Sequence, residues 1–261
     1  MAHAVLWNTP RHRILSAGVT LGAISVRMFS VGNSKSRNSK TLSSSSSSKR
    51  WKQRHVSDPY VQKATKENKV ARSYYKLQQL DDRFKLFRGR NLRVVDLGAA
   101  PGGWTSYILE QKDSKTIRSM IAVDLLPLHG DLLGMEKDLS FFHFLMGDIT
   151  KVQDDIVGLL PGGKATVVLS DMAPNFCGDA KTDSLRAIGL CEIGLDLGLT
   201  VLDKDGWFVG KYFSGEGDRE MVQYAREYFT KVQVVKPPAS RKESSEHYLV
   251  CGGFKTASDQ R

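Results

Sequence analysis

The segment Val94-Val95-Asp96-Leu97-Gly98-Ala99-Ala100-Pro101-Gly102-Gly103-Trp104 constrains this chain most. An apolar run of strand length ends in an acid, breaks at glycines and restarts in a helical pattern. A parallel α/β sheet brings its backbone up to a nucleotide-like ligand in this way. From Gly98 the spacing reads G-x-x-x-G-G. It departs from the G-x-G-x-x-G of dinucleotide binders, and no Gly-Lys-Ser/Thr follows to make a P-loop. A glycine turn alone is weak evidence of a ligand, so its surroundings have to decide.

Those surroundings alternate in type. A helix is predicted over 72–84, with Tyr74, Leu77, Leu80 and Phe84 roughly on one face. Strand 92–97, helix 104–111 and strands 120–125 and 141–147 follow. Helix 154–160, strand 166–171, a long helix over 184–202, strand 207–213 and helix 218–229 come next. Two runs, 231–236 and 246–252, read as a terminal hairpin. Such alternation implies a parallel sheet covered on both faces, with the hairpin placing an antiparallel strand at one edge. Residues 58–261 read as one domain without internal repeats, and the carboxyl ends of the first strands are where a cofactor would bind.

Charge divides the chain. Of 38 Lys and Arg, ten lie in residues 1–57, which contain no Asp or Glu; the first acid is Asp58. The remaining 28 bases match 28 acids, so the folded part is neutral overall. It is not evenly neutral. Residues 58–93 are basic, 94–225 acidic and 226–261 mildly basic, an arrangement that suits a polyanion beside a cationic cofactor. The leader combines Arg11, Arg13 and Arg27 with hydroxyl residues and ends in a serine tract over 43–48. That composition fits a mitochondrial presequence, placing the protein in the matrix, followed by a disordered basic spacer. Arg27-Met28-Phe29-Ser30 suggests cleavage near Phe29. The apolar run 14–26 is too short to span a bilayer, and a secretory signal is the rival reading. Cys177, Cys191 and Cys251 are widely separated, and the six histidines form no i,i+3 or i,i+4 pair. This pattern suggests a reducing compartment and no metal site.

The strand ends carry acids in order: Asp96, Asp124, Asp148 and Asp171. Asp124 lies 21 residues after Gly103, close to where an acid reaches ribose hydroxyls in nucleotide-binding α/β folds. Asp148 follows the third strand, where an adenine amino group would be met. Each alone is most simply a helix cap or turn former. Four along one sheet edge are harder to dismiss.

At this point Asp96–Trp104, the segment 122–127, Gly147-Asp148 and Ser170-Asp171-Met172-Ala173-Pro174-Asn175 together resemble the FtsJ family of RNA ribose 2′-O-methyltransferases. The likeness runs from about Arg72 to Gly253. It is nearest to the members that methylate a uridine of large-subunit rRNA in bacteria and mitochondria. The resemblance implies a Rossmann-like class I fold with a mostly parallel seven-stranded sheet and S-adenosyl-L-methionine as cofactor. It implies cofactor contacts from Pro101, Gly102, Gly103, Trp104, Asp124, Asp148, Ile149 and Asp171. Gly102, Gly103 and Trp104 would line the methionine end, Asp124 the ribose, Asp148 the adenine and Asp171 the sulfonium. An acidic pocket favours a cationic sulfonium over the neutral thioether product.

The family's catalytic tetrad, Lys-Asp-Lys-Glu, matches Lys76, Asp171, Lys211 and Glu246. Lys211 is the candidate general base for the ribose hydroxyl; a protonated Lys211 that polarises and orients the oxygen is the other version. Asp171 would aim the amine, with Lys76 and Glu246 positioning the ribose. Taken singly, Lys211 reads as a solvated strand end, Lys76 as a surface cation and Glu246 as edge protection.

For RNA, the phosphate-contact surface is expected from Lys63, Lys66, Lys69, Arg72, Arg83, Lys85, Arg88, Arg90 and Arg93, with Lys236, Arg241 and Lys242 opposite. Tyr60, Tyr74 and Tyr75 are candidates for base stacking. With no separate RNA-binding module, the expected partner is large-subunit rRNA or an assembling ribosomal particle, bound by a monomer without membrane or metal. A tRNA or mRNA-cap substrate, or an rRNA-binding assembly factor without turnover, remain as alternatives. A small-molecule substrate leaves the basic segment unexplained.

Overall fold

The computed structural model describes residues 56–111, 116–256 and 258–259. The leader, apart from its last two residues, lies outside them. A seven-stranded sheet has the order β3-β2-β1-β4-β5-β7-β6. Its strands are β1 (Leu92–Leu97), β2 (Ile117–Asp124), β3 (Phe142–Met146), β4 (Ala165–Ser170), β5 (Leu202–Phe213), β6 (Phe229–Val235) and β7 (Glu246–Phe254). The helices are α1 (Pro59–Lys66), α2 (Ser73–Phe84), α3 (Gly103–Gln111), α4 (Gly130–Asp138), α5 (Gln153–Leu159), α6 (Ala180–Val201) and α7 (Asp218–Tyr228).

The near-continuous apolar strands are buried on both faces, as parallel strands under helices must be. Val94, Met120, Ala122, Val167 and Val209 join the core beneath α2 and α3. Their strand neighbours Val95, Ile121, Val123, Val168 and Phe208 join the core beneath α5, α6 and α7. The mostly parallel class I arrangement read from the sequence is what forms. One detail differs. The reversed strand is β7, which inserts between β5 and β6 and pairs antiparallel with both. The edge belongs to β6, which therefore runs with the other strands. Burial explains the order: β7 is almost wholly buried, whereas β6 exposes most of its side chains.

Two helices went unread because their patterns are weak. In α1 only Ala64 is buried; what starts it is Asp58, whose side chain accepts from the Tyr60 and Val61 amides, with proline in first position. In α4 only Leu132 is buried. The strand β5 starts at Leu202, five residues before the start that the sequence pattern predicts, and the β4–β5 register shifts after its first pair. There Asp205 adopts a left-handed φ of 62°. Charges at Asp203, Lys204 and Asp205 mask this stretch as loop.

Candidate active site

The turn after β1 is built by its neighbour. The Gly98 and Ala99 amides donate to the Val123 carbonyl. Asp124 accepts from the Ala100 amide at one carboxylate oxygen and from the Leu126 amide at the other, both at 2.8 Å. Asp124 thus holds the cofactor turn as well as facing it, and each oxygen keeps a second lone pair for a ribose hydroxyl. Gly102 has φ +118°, and a Cβ there would run into Leu132 Cδ1. At Gly98 a Cβ would stand 2.7 Å from the Met172 amide nitrogen. The turn therefore passes so close to the β4 loop and α4 that side chains are excluded.

The residues present fit S-adenosylmethionine. The helix α3 opens directly at Gly103, presenting free amides and the positive end of its dipole to a carboxylate. Behind it Asp96 is fully buried. Thr105 Oγ1 donates to one of its oxygens at 2.8 Å, while the other has no partner within the protein. An ammonium group is the donor this orphaned oxygen lacks. Burial, with smaller contributions from Asp171 and Asp124, pushes the Asp96 carboxyl up to about 7.

A pH dependence follows. Because the folded value lies above the ordinary aspartate value of 3.8, proton uptake favours the folded state: stability of the cofactor-free protein falls as pH rises from about 3.8 to about 7 and is then level. Cofactor affinity moves the opposite way, weakening as pH falls through about 7, where the carboxylate is lost. Calorimetric unfolding and cofactor titration across this window should show both trends, and Asp96→Asn should flatten them.

Asp148 keeps its side chain on Thr150, accepting from the amide at 3.0 Å and the hydroxyl at 2.8 Å. The Thr150 bonds hold its carboxyl below the ordinary range. Pro101 is exposed at the turn, and Ile149 packs into the core beneath α5. Trp104 differs from expectation. Its ring is 2% exposed, donates from Nε1 to the Ser73 carbonyl and packs on Tyr248. Only its backbone is left for a cofactor.

The sheet register brings the four tetrad positions together. Ser170 of β4 pairs with Gly210 of β5, so Asp171 and Lys211 emerge side by side. On the other flank of β5, Lys211 pairs with Tyr248 and Phe213 with Glu246. Lys211 Nζ donates to the Asp171 carbonyl and lies 2.9 Å from Asp171 Oδ1. Lys76, carried on α2, reaches Glu246 with its Nζ 2.7 Å from Oε1 and 2.8 Å from Oε2. Burial pushes the Glu246 carboxyl up, but Lys76, Ser240 and Lys211 outweigh it and hold it below its ordinary range. Lys76, Lys211 and Glu246 are each under a tenth exposed, so none is the solvated surface group it resembles alone.

Two further residues, not marked by the tetrad pattern, complete the network. Tyr248 is completely buried and donates to Asp171 Oδ1 at 3.1 Å. Burial, with Asp171 and Glu246, pushes its phenol well above 10, so it remains a donor. Its signal was available: Glu246 and Tyr248 are i and i+2 on one strand and share a face. Ser240 donates to Glu246 Oε1 at 2.6 Å from the loop between β6 and β7, which no periodicity marks.

The basic segment is partly structural. Arg72 and Arg241 both pair with Asp58, and Arg72 also donates to the Ala239 carbonyl. Lys69 pairs with Glu110, and Arg93 with Asp203. These contacts correct the expectation that Lys69, Arg72 and Arg93 all face phosphates. Lys85, Arg88 and Arg90 precede β1 and sit at the amino ends of the strands, away from the tetrad. Tyr74 and Tyr75 are 3% and 1% exposed, so neither ring can take a base. Among the described residues no group of three His, Cys, Asp or Glu side chains is placed to hold a metal, and no helix is long and apolar enough to cross a membrane.

A mostly parallel seven-stranded sheet with a reversed β7, and a glycine turn after β1, define a class I methyltransferase domain. A solved ribosomal RNA methyltransferase from Plasmodium falciparum shares the fold, with a TM-score of 0.60 and 24% identity over 71% of this chain and 98% of that one. The FtsJ-like methyltransferase family model matches residues 69–254, and the chain belongs to that family. It is 41% identical to ribosomal RNA large subunit methyltransferase E of Gluconobacter oxydans, over 79% of this chain and 72% of that protein. To the protein of that name from Marinobacter nauticus it is 40% identical, over 83% of this chain and all of the relative. It is a methyltransferase, and its methyl donor is S-adenosylmethionine.

Proposed function

We propose that this protein methylates the ribose 2′-hydroxyl of a uridine in mitochondrial large-subunit rRNA. The observation that carries the reading is the paired network at the strand ends, Lys211 with Asp171 and Lys76 with Glu246, beside the cofactor turn. S-adenosylmethionine, when bound, supplies an electrophilic methyl group on a sulfonium. The protein supplies everything that the hydroxyl needs. Asp171 takes up Lys211 Nζ at both its carbonyl and its carboxylate, so the amine has one remaining direction in which to meet a hydroxyl oxygen and take its proton. Tyr248 fixes the carboxylate that does this. Lys76 and Glu246, locked on each other, form the wall against which the ribose is oriented.

Support for the rRNA substrate comes from the names of the bacterial relatives, and for the compartment from the acid-free, Arg- and Ser-containing leader. The test is transfer of labelled methyl from S-adenosylmethionine to large-subunit particles. A ribose 2′-O-methyl group blocks alkaline cleavage of the adjoining phosphodiester, so label should appear in alkali-resistant dinucleotides. Label on a base, or on tRNA or capped mRNA instead, would overturn the reading. Residues 1–57 fused to a reporter should direct it into the mitochondrial matrix, with a new amino terminus near Ser30; secretion of the fusion would count for the signal-peptide alternative.

A further inference from the structure

We propose that Phe176 is the stacking platform for a nucleobase beside the methylated ribose, a role that rests on the RNA substrate argued above. Phe176 is 58% exposed. It lies in the loop that begins at Asp171 and leads into α6. Its ring meets Phe213 edge-on, with centroids 5.2 Å apart and planes at 85°. That contact fixes where the platform stands. Lys211 and Phe213 are i and i+2 on β5, so they share a strand face about 6.6 Å apart. The Phe176 ring therefore sits against the strand end that carries Lys211, on the loop that begins at Asp171.

The loop is held. Asp183 accepts the Cys177 amide at 2.8 Å with one oxygen and the Gly178 amide at 3.0 Å with the other. Ser184 Oγ donates to the Phe213 carbonyl at 2.7 Å, tying α6 to the same strand end. Asp179 caps α6 through the Thr182 amide. An aromatic ring presented on a braced loop loses little conformational freedom when a base settles on it. Tyr74 and Tyr75 of the basic segment are buried and Tyr60 is half-buried against Tyr75, whereas the Phe176 ring is more than half exposed. At the start of α6, Lys181 is paired to Glu216 at 2.7 Å. A flat, apolar face suits a base better than a phosphate.

Phe176→Ala, Phe176→Leu and Phe176→Trp, assayed on large-subunit rRNA transcript, separate stacking from other roles. The alanine and leucine variants should raise the KM for RNA, or its dissociation constant in a direct binding assay, by about 5- to 100-fold, the loss of one base–aromatic stack. The tryptophan variant should bind like the wild type. The value of kcat and the cofactor dissociation constant should stay within about twofold, and the salt slope of RNA affinity should not change, because no phosphate contact is removed. Unchanged RNA affinity in Phe176→Ala would overturn the proposal, as would full rescue by leucine or an altered salt slope. If the wild type binds RNA but transfers no methyl group, the reading of function falls, while the binding comparison still decides the role of Phe176.

Discussion

Lys211→Ala is expected to lower kcat for methyl transfer about a thousandfold, in the range for loss of an acid–base group, while cofactor binding stays within about twofold. Lys211, neutral or protonated, contributes no attraction to a sulfonium, so its removal does not weaken the electrostatics of cofactor binding. The turn that holds the cofactor is anchored by Asp124 and Val123, neither of which touches Lys211. Asp171 does not become an orphan either, since it retains the Tyr248 hydroxyl and its side chain is 18% accessible. Folding should therefore survive, and a melting curve near that of the wild type is part of the expected result. Lys211→Arg refines the outcome. A guanidinium keeps the ion pair with Asp171 but cannot be deprotonated in a protein. Loss of turnover in both variants would assign proton uptake to Lys211, whereas substantial turnover in Lys211→Arg would assign polarisation of the hydroxyl. Wild-type turnover in Lys211→Ala would remove Lys211 from the chemistry.

Much of this site is legible in the chain because it sits where strands end. An apolar run followed by Asp is easy to see, and register alone then sets Asp171 beside Lys211. The glycine turn is legible for a different reason: its conformation and close contacts admit no side chain, so residue type reports geometry directly. What stays hidden is contact between distant segments. Nothing local marks Ser240, which reaches Glu246 from a loop, or Asp58, which joins the start of α1 to Arg72 and Arg241. The same limit explains the basic segment. A run of Lys and Arg looks uniformly available for phosphates, but acids elsewhere in the chain, at Asp58, Glu110 and Asp203, take up three of them.

Topology shows the complementary case. The hairpin could be read from two β-rich runs, but not which of them would turn inward. Burial decides it. Alternate residues of β7 pack into both cores, with Tyr248 and Val250 on one face and Leu249 and Cys251 on the other. A strand apolar on both faces belongs between two others, and β6, with Lys231 and Gln233 exposed, belongs at the edge. The consequence reaches the chemistry. Only because β7 lies next to β5 does Glu246 arrive across from Phe213, within reach of Lys76.

That ion pair supports the second large effect. Glu246→Ala should destabilise the protein by about 3–5 kcal/mol, the usual result of leaving a buried charge without its partner. Lys76 is 8% exposed, and its ammonium would lose both oxygens of its bidentate partner. Melting temperature should fall, and methyl transfer should fall with it. The two losses have different origins, and they can be separated. Lys76→Met combined with Glu246→Leu replaces the pair by apolar groups of similar size, so neither charge is stranded and much of the stability should return. Methyl transfer should not return, because the ribose would have lost its polar wall. Acid titration supplies the sign. The Glu246 carboxyl is held below the ordinary glutamate value of 4.5, so its contribution to stability is present above that value and is lost as pH falls through the lower, folded value. Wild-type protein should therefore lose this contribution on acidification, and Glu246→Gln should not, with Asp96 acting equally in both. If the double variant regained activity along with stability, the pair would be scaffolding alone. If it regained stability without activity, Lys76 and Glu246 belong to the machinery that positions the ribose.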